Sequence, residues 1–344
     1  MIRTRRQAVT ILGAALASPA GALAAPRKAG VAMDLQPPAP QDESDTAALA
    51  SAADVAERMT APVFINGQGP FDFVVDTGAN RTVVARELAL SLGLPLAGRA
   101  EIHGIAGVEP SETVNIGRLD IGRVASRRLR APMLDRARLG ADGLLGVDVM
   151  RNRRVAMDFA GNRLTIGKPD AEPVTRRNVS DGRLRDNAAE EAAAANVVIV
   201  PARYRFGQLI IIDADMGGSP VTAFLDSGSQ NTVGNLVLHQ RLKATPFALT
   251  AQTTVVELIS ATGQRAQGEL SSVPPLRMGG LTIGNLSAVF ADLHIFRLWE
   301  LSDRPAILIG IDVMRHFDAV ELDFANRRVL FRTPSRALRR LPPG

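Results

Sequence analysis

Cysteine is absent from the 344 residues, and tryptophan and tyrosine occur once each. Without cysteine there is no disulfide, no thiol nucleophile and no site for lipid attachment, and the redox state of the compartment leaves no signature. The four histidines, His103, His239, His294 and His316, show no paired metal-ligand spacing, so each reads as a surface or packing residue. There is no Gly-x-Ser-x-Gly elbow and no Gly-x-x-x-x-Gly-Lys phosphate loop. Aromatic residues make up 4% of the chain and do not interleave with its basic residues, which are scattered. Arg3, Arg5 and Arg6 account for three of the five net positive charges. Nucleic-acid binding, which needs clustered cations, is therefore excluded as a reading.

What is present begins with "RTRRQAVTILGAALASPAGALAA". A basic start, an apolar run from Ala8 to Ala17, Ser18-Pro19 and the small-residue site Ala22-Leu23-Ala24 predict a bacterial export signal over 1–25. Arg5-Arg6 ahead of an Ala-rich core resembles a twin-arginine signal, an address read by the machinery that exports folded proteins. The apolar run falls short of the ~20 residues a membrane span requires. Residues 26–55, rich in Ala, Pro and acidic residues, read as a linker or pro-segment. A second polar, Ala-rich break over 169–195 separates a unit at 56–168 from another at 196–333, with a tail over 334–344.

The two units look like copies. "NGQGPFDFVVDTGAN" at 66–80 and "MGGSPVTAFLDSGSQ" at 216–230 keep Gly67/Gly217, Pro70/Pro220, Asp76/Asp226 and Gly78/Gly228 at a constant spacing of 150. Later, "GLLGVDVMRNRRVAMDFAGNRLTI" at 143–166 is echoed by "ILIGIDVMRHFDAVELDFANRRVLF" at 307–331, so an insertion of some fourteen residues is expected in the second copy. Each copy reads as mostly β. Short apolar runs such as "FDFVV" and "RVAMDF" are broken by Gly, Asn and Pro, and Asn66-Gly67 is a strong hairpin signal because both positions tolerate positive φ. A helix is expected over Ala85–Leu94, and Asp148 and Asp312 are expected to cap short helices that begin at the following valine.

Asp-[Ser/Thr]-Gly occurs only at Asp76-Thr77-Gly78 and Asp226-Ser227-Gly228, each time after an apolar strand. One such triplet alone would read as a turn. Each, however, is followed by an apolar-apolar-Gly segment, Leu144-Leu145-Gly146 and Leu308-Ile309-Gly310, of the kind that threads a buried strand into a turn with close backbone approach. On these paired motifs each half resembles a retropepsin-type aspartic peptidase subunit, and the chain resembles two of them fused in pepsin-like fashion.

The resemblance implies an all-β, duplicated acid-protease barrel with a cleft between its halves. It implies Asp76 and Asp226 as a catalytic dyad, Thr77 and Ser227 as hydroxyls bracing one loop against the other, and Gly78 and Gly228 as backbone donors to the carboxylates. Leu144-Leu145-Gly146 and Leu308-Ile309-Gly310 would pack beneath the loops. Independently of any family, carboxylates this close cannot both ionise; one takes a proton from water while the other donates to the developing oxyanion, with no need for a metal or organic cofactor. Ser229, which follows the second triplet, offers a hydroxyl that would favour the charged form of Asp226, and Ala79 offers Asp76 none. The Gly-rich stretch Gly104-Ile105-Ala106-Gly107 is expected as the tip of a lid, with "LISATGQRAQGEL" at 258–270 as its counterpart. A pepsin-like lid usually presents a tyrosine, and Tyr204 lies far from either stretch in sequence, so the retroviral type of lid is the closer comparison. Asp142 reads as a turn residue, and Trp299 as either cleft lining or core. The reading is an exported aspartic endopeptidase acting on peptides or proteins. The alternatives are a silent protein that keeps the fold and an enzyme whose halves pair between chains.

Overall fold

The computed structural model describes residues 31–34, 58–167, 196–249, 253–334 and 339–340. The expected export signal and the linker over 169–195 lie outside the described residues. The first half is a closed barrel. Thr60–Ile65 alternates exposed and buried positions, sending Ala61, Val63 and Ile65 inward, as a strand with one wet face must. Asn66 and Gly67, at φ 51° and 83°, turn it into Gln68–Val75. From there the sheet passes through Gly143–Leu145, Val83–Ala85, Val124–Leu134 and Val108–Ile121, and returns to Thr60–Ile65 where Phe64 and Ile65 pair with Asp120 and Leu119. Leu96–His103 is added at the side as the partner of Val108–Ile121.

The second half repeats this path in a more open form. Ser219–Leu225 pairs in parallel with Ala306–Ile309, as Gln68–Val75 does with Gly143–Leu145. The counterpart of Val108–Ile121 is split into Arg265–Val273 and Leu276–Met278. Pro274 and Pro275 stand at the break, where neither has an N–H for a ladder. The extra length of this half is divided rather than single. Equivalent ladder positions are 150 apart at Val83/Val233, 157 apart at Met133/Phe290 and 164 apart at Leu144/Leu308. One addition contains the 3-10 turn Pro246–Leu249; the other follows the helix His294–Leu298, whose counterpart in the first half is Arg136–Leu139.

Helices are short. The one expected over Ala85–Leu94 spans Arg86–Ser91. Val147–Met150 and Ile311–Met314 start two residues earlier than expected, behind Gly146 and Gly310, so Asp148 and Asp312 sit inside the first turn and do not cap it. Their carboxylates are engaged elsewhere, as described below.

A third sheet joins the halves. Arg163–Gly167 and Arg154–Asp158 of the first half continue into Ala319–Asp323, Arg328–Arg332 and Val197–Pro201 of the second. Val31–Asp34, within the segment read as linker or pro-segment, pairs in parallel with Leu281–Gly284 and antiparallel with Arg339–Arg340 of the tail. One buried cluster runs through both halves, and a second, around Phe224, Ile295, Phe296 and Trp299, belongs to the second half. Trp299 stacks on Phe224 with ring centroids 4.5 Å apart and is buried, so it fills core.

Candidate active site

Two parallel strand pairs deliver the Asp-Thr/Ser-Gly loops to the middle of the molecule. The amide of Asp76 donates to Leu145 O at 3.0 Å and that of Asp226 to Ile309 O at 3.0 Å, which fixes where each strand ends. Thr77 and Ser227, both buried, meet across the interface between the halves. The Thr77 amide donates to Ser227 Oγ at 3.1 Å and the Ser227 amide to Thr77 Oγ1 at 3.0 Å. Each hydroxyl passes its own proton on to the opposite strand, Thr77 Oγ1 to Leu225 O at 3.0 Å and Ser227 Oγ to Val75 O at 2.7 Å. Four hydrogen bonds thus lock one loop to the other, and no polar group in the set is left buried without a partner.

The same turn geometry aims the carboxylates. Asp76 Oδ1 accepts from the amides of Gly78 and Ala79, both at 2.9 Å, and Asp226 Oδ1 from those of Gly228 at 2.9 Å and Ser229 at 3.2 Å. Each glycine faces the other half's carboxylate. A Cβ on Gly78 would overlap the carboxyl group of Asp226, and one on Gly228 that of Asp76, so only glycine lets the two aspartates come together. The two carboxyl groups lie close enough for each to shift the other's proton affinity. Burial raises the Asp76 carboxyl above its ordinary range, against the pull of the Asp226 hydrogen bond, the two amides and the Arg58 charge. Asp226 is raised well above that range, by burial first and by the negative charge of Asp76 second. The pair therefore holds one proton between two carboxylates over a wide span of pH.

The Ser229 hydroxyl does not take the role expected of it. It donates to Asn231 O at 2.9 Å, so both carboxylates receive the same set of two amide donors. The apolar-apolar-Gly segments lie behind the loops. Leu144, Leu145, Leu308 and Ile309 are buried, and a Cβ on Gly146 or Gly310 would run into the backbone at Arg81 or Asn231.

Several site residues escaped the sequence reading. Asp148 Oδ1 accepts from the amide and hydroxyl of Thr82 at 2.9 and 2.7 Å, and Thr82 Oγ1 in turn accepts from the Gly146 amide at 3.1 Å. Asp312, Thr232 and Gly310 repeat the arrangement at 2.9, 2.8 and 3.1 Å. Burial raises the Asp312 carboxyl, against these donors. The signal was present in the duplication itself, since both Thr and Asp recur in equivalent places. Gln208, buried, reaches from the second half to donate from Nε2 to Gly78 O at 2.9 Å and Asn80 Oδ1 at 3.0 Å. Asp142, beyond serving a turn, accepts from the Asp72 amide at 3.0 Å and pairs with Arg136 at 2.5 Å.

The two hairpin tips meet. Gly104 N donates to Gly107 O at 2.8 Å and closes the first tip, between Leu96–His103 and Val108–Ile121. The second tip, Ser260 to Gln264, joins Thr253–Ile259 to Arg265–Val273. Gly104 abuts the hydroxyls of Ser260 and Thr262, Gln264 Nε2 donates to Val108 O at 3.2 Å, and Arg138 Nη1 donates to Thr262 O at 3.3 Å. Ile105 packs against the buried cluster around Trp299, and its carbonyl accepts from the Ile295 amide at 3.3 Å. His103 Nδ1 and His294 Nε2 are 2.9 Å apart. The two hairpins thus touch each other at their tips and, through Ile105 and His103, the helix His294–Leu298.

Among the described residues no group of three or more His, Cys, Asp or Glu side chains could hold a metal ion, and no helix is long and apolar enough to cross a membrane. A comparison with curated proteins returned no match. A family model described as "Aspartyl protease" matches residues 61–149 and 212–313, more than half of the chain. One matched stretch carries Asp76 and the other Asp226, each with its glycine and its Leu-Leu-Gly or Leu-Ile-Gly support. In sequence, as in the crossing of its two loops, this chain belongs to the aspartyl protease family.

Proposed function

We propose that the protein is an aspartic endopeptidase that hydrolyses peptide bonds with a water activated between Asp76 and Asp226. The observation that carries this reading is the pair of carboxylates, each held by two amides and each facing the glycine of the opposite loop. Shared protons of this kind are how aspartic proteases work in general. The ionised carboxylate takes a proton from the water as oxygen attacks the scissile carbonyl, and the protonated one donates to the developing oxyanion. Because the two ionisations belong to the pair, neither role is assigned permanently to Asp76 or Asp226. The lid excludes bulk water and lays the peptide out in extended form.

The residues of the chain supply all of these steps. The sequence of the first 25 residues supports export through the twin-arginine machinery, and so a periplasmic or secreted site of action. The test is incubation of the purified protein, Asp76→Asn and Asp226→Asn with a diverse peptide pool from acidic to neutral pH. Cleavage by the parent protein and none by either variant, all three folded by circular dichroism, is the expected result. Substantial cleavage by either variant would refute the dyad.

A further inference from the structure

Beside the loop that carries Asp76 lies a cavity of ≈ 340 Å³ with an apolar floor of Phe206, Ile210 and Leu301 and a cationic rim of Arg203, Arg205 and Arg304. Among the described residues no carboxylate lines it. Its distance from the chemistry is short in structural terms. Gly207, next to Phe206, presses against the Asn80 carboxamide, and Gln208 holds Gly78 O. Phe206 and Ile105 of the first hairpin tip pack on the same buried cluster.

The rim is available to a ligand. Arg205 Nη2 is 3.7 Å from Glu300 and Arg304 Nε is 3.2 Å from Asp303, but those carboxylate side chains are 76% and 75% exposed. Ion pairs that wet are weak and exchange readily for another anion. Arg203 makes no ion pair among the described residues. Arg205 also lies over the Phe206 ring, 4.5 Å from its centroid, which holds a guanidinium plane at the mouth of the cavity.

We propose that this groove receives the carboxylate of an aspartate or glutamate in the substrate, at a position away from the scissile bond, and that it makes acidic peptides the preferred substrates. The inference rests on the peptidase reading above. A peptide extended through the cleft turns alternate side chains toward one wall. An acidic side chain there would lay its methylenes on the apolar floor and set its two oxygens against guanidinium forks, which match a carboxylate in shape as well as charge. An uncharged side chain of the same length would gain only the floor.

The experiment compares cleavage of paired peptides that differ by Asp for Asn or Glu for Gln at each position around the cut, using the parent protein and R203Q/R304Q. At one position on one side of the cut, the acidic member is expected to have a kcat/KM about fivefold to tenfold higher at low salt. That ratio should shrink with added salt and fall close to one in R203Q/R304Q. No acidic preference at any position, or a preference unchanged in R203Q/R304Q, overturns the proposal. If the parent protein cleaves no peptide, fluorescence anisotropy with the same labelled pairs decides the matter. Tighter, salt-sensitive binding of the acidic member that is lost in R203Q/R304Q sustains the groove while refuting the peptidase, and equal binding overturns the groove as well.

Discussion

His103, at the end of the strand Leu96–His103, and His294, at the start of the helix His294–Leu298, lie ring against ring, 14° from parallel with centroids 5.2 Å apart and Nδ1 to Nε2 at 2.9 Å. A hydrogen bond between two imidazoles needs one neutral ring to accept it. Arg297 bears on the pair from the same helix, its own charge shared with Asp292 at 2.5 Å. Burial, then His103 and Arg297, hold His294 below the ordinary histidine value.

A depressed histidine pKa in the closed state means that the open state binds the proton more tightly. Closure is therefore favoured above about 6.5 and loses its support as pH falls below that value. Amide hydrogen exchange at Gly104 to Gly107, corrected for the intrinsic effect of pH, should quicken between pH 7 and pH 5. In His103→Gln the quickening should be much reduced. Equal pH dependence in both proteins would show that the pair does not latch the lid.

The cross-bracing of the loops makes a different prediction. In Ser227→Ala the Thr77 amide loses its acceptor and Val75 O its donor, both in the buried interface between the halves. The cost is about 1–3 kcal/mol for each group left unsatisfied. Urea denaturation should register that loss, and kcat should fall by more than KM rises, because loop registry matters most when the dyad engages the transition state. Ser227→Thr keeps the hydroxyl and should retain most of both.

Asp226 gives a prediction in which stability and activity part company. Its carboxyl is raised in the folded protein, so folding favours the protonated form. That contribution is complete below the ordinary aspartate value near 3.9 and is lost as pH rises through the folded-state value. Asp226→Asn does not titrate at this position. Its melting temperature relative to the parent should therefore be higher at pH 7 than at pH 4, although the variant is inactive. A difference in Tm that does not change with pH would remove the desolvated charge from the account.

At position 79 the expectation is an absence of effect. The Ser229 hydroxyl donates to a backbone oxygen two residues on, and a serine at 79 would occupy the equivalent place in the first loop. Ala79→Ser should leave both limbs of the pH–rate profile where they are. Movement of either limb to lower pH would mean that the hydroxyl reaches Asp76 after all.

How far the sequence carried can be judged from particular contacts. The triplets, their spacing and the apolar-apolar-Gly supports were legible because the duplication displayed each of them twice. So, had it been followed further, was the Thr82–Asp148 tie with its Thr232–Asp312 twin. Gln208 and Gly78 are 130 positions apart, and His103 and His294 are 191 apart. No local period announces either contact. They arise only when the two halves are set against each other, which no window of sequence contains. Pro274-Pro275 was visible as a dipeptide, but its effect, a split strand and an opened sheet, depends on which strand it interrupts.

The sheet shared by the halves has a register with a consequence of its own. Arg154–Asp158 and Ala319–Asp323 are equivalent segments of the two copies, 165 residues apart, and they run antiparallel with Ala156 opposite its own equivalent, Glu321. Val155 faces Leu322 and Arg154 faces Asp323, so the ladder maps onto itself when the copies are exchanged. A strand that pairs with its own equivalent about a dyad axis is the seam of a homodimer. Severed from the second copy, the first would find in another molecule of itself the same ladder, with Arg154 opposite Asp158 at either end. Joining two such subunits end to end would preserve that seam while freeing each side to diverge, as the split strand and the added 3-10 turn of the second half do beside a symmetric pair of aspartates.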